Sequence, residues 1–147
     1  MTEATSVFSL ACSLLSLVLA GLGFATAIRR AKVNVWINEE DAARYAGSRV
    51  GDVEHRDVAR LIRVHRNLLE NFVPFVALGL LWLSAGIAPR VAPWLFGAFG
   101  VSRLVHVALF LTKQGISRRF AHVVGLMVLN VLAVGLVVHV VTSSGTR

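Results

Sequence analysis

The chain has 147 residues, of which 56% are hydrophobic and 16% charged, and its mean hydropathy is +0.70. This composition excludes an ordinary soluble domain, and the length allows one domain with four bilayer spans of about 20 residues each. The single cysteine, Cys12, excludes an internal disulfide and a cysteine-based zinc site, and no spacing of metal ligands is present. We therefore expect one integral membrane domain over residues 1–147.

Four apolar runs are long enough to cross a bilayer, and they cover about residues 7–30, 60–89, 91–112 and 118–142. The first run is uncharged and stops at Arg29 and Arg30, which is typical of a membrane span. A cleaved signal peptide is the alternative, because Ala25-Thr26-Ala27 resembles a cleavage site, but no basic residue precedes the run. Residues 33–57 are polar and should form the one long loop. The sequence therefore predicts an all-α four-helix membrane bundle.

The basic residues are distributed unevenly between the two ends of these spans. Nine flank the loops after the first and third spans: Arg29, Arg30, Lys32, Arg44, Arg49, Arg56, Lys113, Arg118 and Arg119. The opposite side carries only Arg90 and Arg147. Because cytoplasmic loops are enriched in Lys and Arg, both termini are expected on the non-cytoplasmic side. The formal charge of +7 is then explained by topology, and nucleic acid is not expected as a partner.

Helix two carries a polar stripe that a bilayer does not normally accept. Its members recur at spacings of four, three, four and three, which places them on one face: Arg56, Arg60, Arg63, Asn67 and Glu70. Arg66 lies at the edge of this face. On span three, Arg103 lies more than halfway along, where an arginine costs about 2.5–3.5 kcal/mol, and His106 follows one turn later. We expect Arg103 to face a partner or a wet cleft.

Two explanations of these charges remain open. In a structural network, Glu70 pairs with one arginine while the other long cationic side chains reach the membrane interface. Four arginines lie near the membrane boundary: Arg60, Arg63, Arg66 and Arg103. They outnumber Glu70 by three charges, which indicates an anionic ligand, either a lipid phosphate or a small carboxylate-bearing cofactor. Asn67 and Glu70 favour the cofactor, because they can bind the backbone and the ammonium group of a zwitterion.

The segment RLIRVHRNLLENFVPF, from Arg60 to Phe75, resembles the helix-two signature of the MAPEG family, the membrane-associated proteins in eicosanoid and glutathione metabolism. The resemblance is greatest to the microsomal prostaglandin E synthase-like branch of that family. It also includes residues 28–30, 38–42 and 102–106 and the basic turn that ends at Arg119. It therefore extends over most of the chain.

This resemblance implies a homotrimer of four-helix bundles that binds glutathione at subunit interfaces near the cytoplasmic side. The positions that match the family's glutathione contacts are Arg30, Arg66, Asn67, Glu70, His106 and Arg119. Arg63 and Arg103 match arginines that line or support the same cleft. Arg119 matches the residue near the glutathione sulfur, which makes it the expected catalytic residue, and Asp41 matches an acidic residue that can pair with that arginine.

Two departures from the family pattern concern the thiol end of the site. Phe110 replaces a tyrosine, and Phe120 replaces the serine that follows the helix-four arginine in prostaglandin E synthase. A mechanism that needs those hydroxyl groups cannot be transferred, so prostaglandin synthesis is not expected. His122, one turn after Arg119, is either a substitute polar group or a packed structural residue.

The resulting hypothesis is a membrane-bound transferase or peroxidase that uses glutathione or a related low-molecular-weight thiol. A guanidinium beside the thiol would favour the thiolate, which attacks a lipophilic electrophile or hydroperoxide arriving from the membrane lipid. The alternative is a non-catalytic lipid-binding or scaffold protein on the same fold, which Phe110 and Phe120 favour. A transporter would need a continuous polar path, whereas the polar residues cluster at one side.

Overall fold

The computed structural model describes residues 1–145, so Arg147, counted above, lies outside the described residues. In chain order its elements are α1 (Glu3–Val33), β1 (Val35–Trp36), α2 (Glu39–Ala42), β2 (Arg49–Val50), α3 (Arg56–Ser84), α4 (Ala92–Leu111) and α5 (Gly115–Ser144). Four helices of the described part are long and apolar enough to cross a membrane. The predicted all-α four-helix membrane bundle is thereby confirmed.

Local sequence determines where these helices begin and end. The Thr2 hydroxyl accepts a hydrogen bond from the Thr5 amide at 3.2 Å, which caps the start of α1. At the other end Asn34 adopts a left-handed conformation with φ 51°, a usual helix terminator. Helix α3 ends at Ser84, because Gly86 takes φ 65° in the turn that follows. Pro93 lies in the first turn of α4, where its missing amide proton is not needed.

The bundle core is aromatic where α1, α3 and α4 meet. The ring of Phe8 lies 5.4 Å from that of Phe75 and 5.1 Å from that of Phe96, and Phe75 stacks on Phe99 at 4.0 Å. Gly79 makes room for this cluster, since a Cβ at that position would come within 2.2 Å of the Phe8 ring. Helix α5 packs against α3 and α4, and within the described residues it does not touch α1. The outer faces remain apolar and suit a lipid environment.

The loop between α1 and α3 is folded. Strands β1 and β2 pair in parallel, with Val35 opposite Arg49, and the Trp36 and Tyr45 rings stack at 4.7 Å. This small sheet is an addition to the expected helical architecture, and its two-residue strands gave no periodic signal in the sequence. The loop therefore has a fixed shape at one end of the bundle.

Two ion pairs attach the loop region to the end of α1. Arg29 pairs with Asp57, and Arg30 pairs with Glu54. The end of α1 and the start of α3 consequently lie side by side. The end of α4 and the start of α5 form the other basic connection, as expected for helices that run alternately up and down.

Candidate functional site

An open cleft of about 410 Å³ lies among α3, α4 and α5. Its lining residues are Asn67 from α3, His106 and Phe110 from α4, and Arg118, Arg119, His122 and Val123 from α5. Helical periodicity explains the set, because residues three or four positions apart share one face of a helix. The cleft brings together three of the predicted site residues, which are Asn67, His106 and Arg119.

The lining is cationic. Arg118 and Arg119 contribute two guanidinium groups, and neither has an ion pair within the part of the chain that the structure describes. The guanidinium carbon of Arg118 lies 4.5 Å from the centre of the Phe110 ring, a cation–π contact. No carboxylate lines the cleft. An anion is therefore the ligand that this surface can bind.

Asn67 adds an unsatisfied polar atom to the cleft. Its Oδ1 is buried and has no hydrogen-bond partner among the described residues. Such an orphaned acceptor costs roughly 1–3 kcal/mol, and a ligand N–H group would remove that cost. An anionic, peptide-like ligand matches both the guanidinium groups and this amide, so these residues fit glutathione.

Arg103 lies behind the cleft and does not line it. Its side chain is fully buried, and Nη2 donates to the His122 carbonyl oxygen at 2.8 Å. Its Nη1 lies 3.4 Å from His122 Nδ1, and its guanidinium carbon lies 5.4 Å from the centre of the Phe99 ring. This intramembrane arginine was expected to need a partner, and His122 of α5 provides two: its backbone carbonyl and its imidazole. Its Nε has no partner among the described residues.

The remaining predicted residues of helix two lie on the outside of the single chain. Arg66 Nε donates to Glu70 Oε1 at 2.8 Å, and the two side chains are 78% and 55% exposed. Arg63 is also exposed and has no ion pair in the described chain. An exposed pair of this kind contributes roughly 0–1 kcal/mol to stability. The single chain therefore does not bring Arg63, Arg66 or Glu70 into the cleft.

Arg30 also lies outside the cleft lining. Its side chain is partly buried against Glu54, whose side chain is 14% exposed. Glu54 and Asp57 neutralise Arg30 and Arg29, and neither pairs with the four arginines that were set against Glu70. Asp41, expected by resemblance to pair with the helix-four arginine, instead accepts a hydrogen bond from Asn38 at 3.3 Å.

Two polar residues of the cleft were absent from the predicted site set. Arg118 precedes Arg119 directly, and His122 follows Arg118 by four positions, so helical spacing could have placed Arg118 and His122 on one face of α5. Only the packing of α4 against α5 brings that face to His106. The rings of His106 and His122 lie 5.5 Å apart. Among the described residues, no three or more His, Cys, Asp or Glu side chains form a cluster that could hold a metal ion.

Together these features define a multi-pass membrane protein with a cationic cleft at the basic end of a four-helix bundle. A MAPEG family model matches residues 8–138, and the chain belongs to this family. Prostaglandin E synthase of Equus caballus is 33% identical over 111 residues, which cover 76% of this chain and 72% of that protein. The Homo sapiens enzyme of the same name is 33% identical over 112 residues, 76% of this chain and 73% of that protein. Microsomal glutathione S-transferase 1 of Bos taurus is 35% identical over 112 residues, covering 72% of each chain.

Proposed function

We propose that the protein is a membrane-bound glutathione-dependent transferase or peroxidase that acts on a lipophilic electrophile or hydroperoxide. The observation that carries this proposal is the cleft itself, which combines two unpaired guanidinium groups with the orphaned Asn67 amide oxygen and no carboxylate. The name of one relative, microsomal glutathione S-transferase 1, supports glutathione as the thiol. A related low-molecular-weight thiol would meet the same requirements.

Within this proposal the cleft residues bind and orient the thiol compound. Asn67 Oδ1 accepts a hydrogen bond from a peptide N–H group, and Arg118 binds an anionic group at the mouth of the cleft. When bound, glutathione supplies a thiol, whose thiolate form is the nucleophile. Arg119 stabilises the negative charge on sulfur and is the proposed catalytic residue. His106 completes the wall opposite α5.

Residues on the outer face of α3 and at the end of α1 would serve the site in an assembly. Arg63, Arg66 and Glu70 are exposed on the surface of a membrane helix, where a second copy of the chain could cover them. We propose a homotrimer in which these residues, with Arg30, complete the cleft of a neighbouring subunit. In that arrangement Arg103 supports the cleft from behind.

The lipophilic substrate would enter from the side. Val123 lines the cleft on α5 and is 44% exposed, so this side of the cleft presents an apolar surface to the membrane lipid. A lipophilic electrophile dissolved in the bilayer could reach the cleft without crossing water. If both termini lie on the non-cytoplasmic side, as the distribution of basic residues predicts, the basic connections and the cleft lie at the cytoplasmic surface.

A non-catalytic lipid-binding or scaffold role is the second candidate. The specific observation in its favour is that Phe110 lines the cleft and no lining residue carries a hydroxyl group. A cationic cleft could also hold a lipid headgroup without any chemistry. For the same reason prostaglandin synthesis is not part of the proposal.

Three proteins distinguish the two candidates: the unmodified chain, Arg119→Ala, and Arg90→Ala as a matched control. Arg90 is an exposed arginine in the α3–α4 turn, away from the cleft. The unmodified chain should bind glutathione with an ultraviolet thiolate signal near neutral pH and conjugate a generic electrophile. In Arg119→Ala the signal should disappear and turnover should fall by roughly 10²-fold, a size typical of a lost electrostatic donor. Saturable binding without thiolate signal, conjugation or peroxidase activity in the unmodified chain would reject the enzyme and favour the scaffold.

A further inference from the structure

His122 is the one cleft residue whose hydrogen bonding is fixed by a buried charge. Arg103 Nη2 donates to its carbonyl oxygen at 2.8 Å, and Arg103 Nη1 lies 3.4 Å from its Nδ1. A guanidinium can only donate hydrogen bonds, so Nδ1 must be the acceptor of this contact. A neutral imidazole that accepts at Nδ1 carries its proton on Nε2. His122 therefore has an N–H donor available at Nε2.

The Arg103 side chain has no freedom to leave this contact. It is 0% exposed, and Phe99 lies against its guanidinium. Gly125 lies directly under it, and a Cβ at that position would be 1.8 Å from Nη2. Because Arg103 holds both the backbone and the ring of His122, it fixes the ring in place as well as its tautomer.

Other groups facing the cleft are less suited to this donor role. His106 has no hydrogen bond among the described residues that would select one tautomer. Arg118 lies over the Phe110 ring at the mouth of the cleft, where it is proposed to bind an anionic group, and Asn67 lies across the cleft on α3. Arg119 supplies a charge on the same helix as His122 and one turn before it. No hydroxyl group lines the cleft.

We propose that His122 Nε2–H donates a hydrogen bond to the sulfur of the bound thiol, in a cleft whose lining offers no hydroxyl group. Arg103 is then a positioning residue, which acts by fixing the tautomer and ring position of His122. This inference rests on the proposed function. It adds a neutral donor to the cationic one that Arg119 provides, and a thiolate accepts both more strongly than a thiol does.

Two substitutions separate the contact with Arg103 from the donor in the cleft. His122→Asn places an amide oxygen near the former Nδ1 and keeps an acceptor for Arg103, but it has no atom at the position of Nε2. His122→Gln is longer and can place an amide N–H group near the former Nε2. Thermal unfolding should show that both variants fold, because neither leaves a charged residue newly unpaired.

The main readout is the pH titration of the ultraviolet thiolate absorbance of bound glutathione. In His122→Asn the midpoint should move upward by about 1 pH unit, which corresponds to ~1.4 kcal/mol. In His122→Gln the midpoint should stay close to that of the unmodified protein. Equal midpoints in all three proteins would overturn the inference while leaving the proposed function intact. No thiolate signal in the unmodified protein would overturn the sulfur contact, and the proposed function falls with it if conjugation and peroxidase activity are also absent.

A second readout needs no thiol. The nitrogen chemical shifts of His122 in the isotopically labelled, ligand-free protein report its tautomer. A single Nε2–H tautomer in the unmodified protein, which becomes a mixture in Arg103→Met, is the expected result. A mixture of tautomers in the unmodified protein would overturn the positioning role of Arg103.

Discussion

Gly125 on α5 provides the sharpest test of how the cleft is supported. In Gly125→Ala the new Cβ would lie 1.8 Å from Arg103 Nη2 and 2.4 Å from its Cζ, far inside van der Waals contact. A flexible side chain on a surface would move aside. Arg103 cannot, because it is fully buried and enclosed by the protein. The substitution must therefore displace the guanidinium from the His122 carbonyl oxygen.

The change in unfolding free energy is the sum of two destabilising contributions and one stabilising contribution. Overpacking a core site costs about 1–3 kcal/mol, and losing a hydrogen bond from a charged group costs about 1.5–3 kcal/mol more. Replacing glycine by alanine within a helix returns about 1 kcal/mol. The net loss of unfolding free energy is then roughly 1.5–5 kcal/mol, which lowers the apparent unfolding midpoint by at least about 3 °C.

The assay is thermal unfolding in detergent, followed by the helical signal, with Gly23→Ala as the control. Gly23 is an exposed helical glycine of α1 with no atom within 4 Å of a built Cβ, so it reports the helix preference alone. In an Arg103→Met background, Gly125→Ala should lower the unfolding free energy by less, because the guanidinium that the new Cβ would meet is absent. If Gly125→Ala is as stable as Gly23→Ala, the enclosed position of Arg103 is wrong.

Two further predictions concern orientation and ligand binding. In a Cys12→Ser background, a Glu40→Cys variant in intact cells should resist an impermeant thiol reagent, because the loop is expected on the cytoplasmic side; labelling from outside would contradict this topology. Arg66→Ala and Glu70→Ala should each weaken glutathione binding by roughly tenfold or more in calorimetric titration, since a hydrogen bond to a charged group is worth about 1.5–3 kcal/mol. His65→Ala is the matched control, and unchanged affinity in both variants would leave the Arg66–Glu70 pair with a structural role only.

The long-range order of the fold could be predicted from the sequence because a bilayer imposes simple requirements. Apolar runs of sufficient length, interrupted by Pro89 and by charged loops, were enough to define four helices. The small sheet of β1 and β2 could not be predicted, because strands of two residues have no detectable period. Trp36 and Tyr45 gave the only hint, since two aromatic residues in a polar loop need a partner surface, and here they stack on each other.

The site was predictable in part. Asn67, His106 and Arg119 meet in one cleft. Helical spacing and the resemblance to the family both pointed to Asn67 and His106, whereas Arg119 came from the resemblance alone. Arg103 was recognised as a residue that needs a partner, but sequence could not identify a backbone carbonyl as that partner. Every residue has a carbonyl oxygen that could accept this hydrogen bond. Arg103 reaches the one of His122 because of the way α4 and α5 cross.

The charge pattern also favours the cleft over the end of α1 as the place where an anion would bind. Arg30 already has a carboxylate partner in Glu54, so an anion that binds Arg30 must displace that side chain. Arg119 has no carboxylate partner within the described chain, and an anion there displaces only water. Arg118 and Arg119 lie near the N-terminus of α5, where cations oppose the helix dipole, and the first turn of α5 carries no acidic residue. Two unpaired arginines at such a position lower the stability of the helix, and a bound anion would remove that penalty.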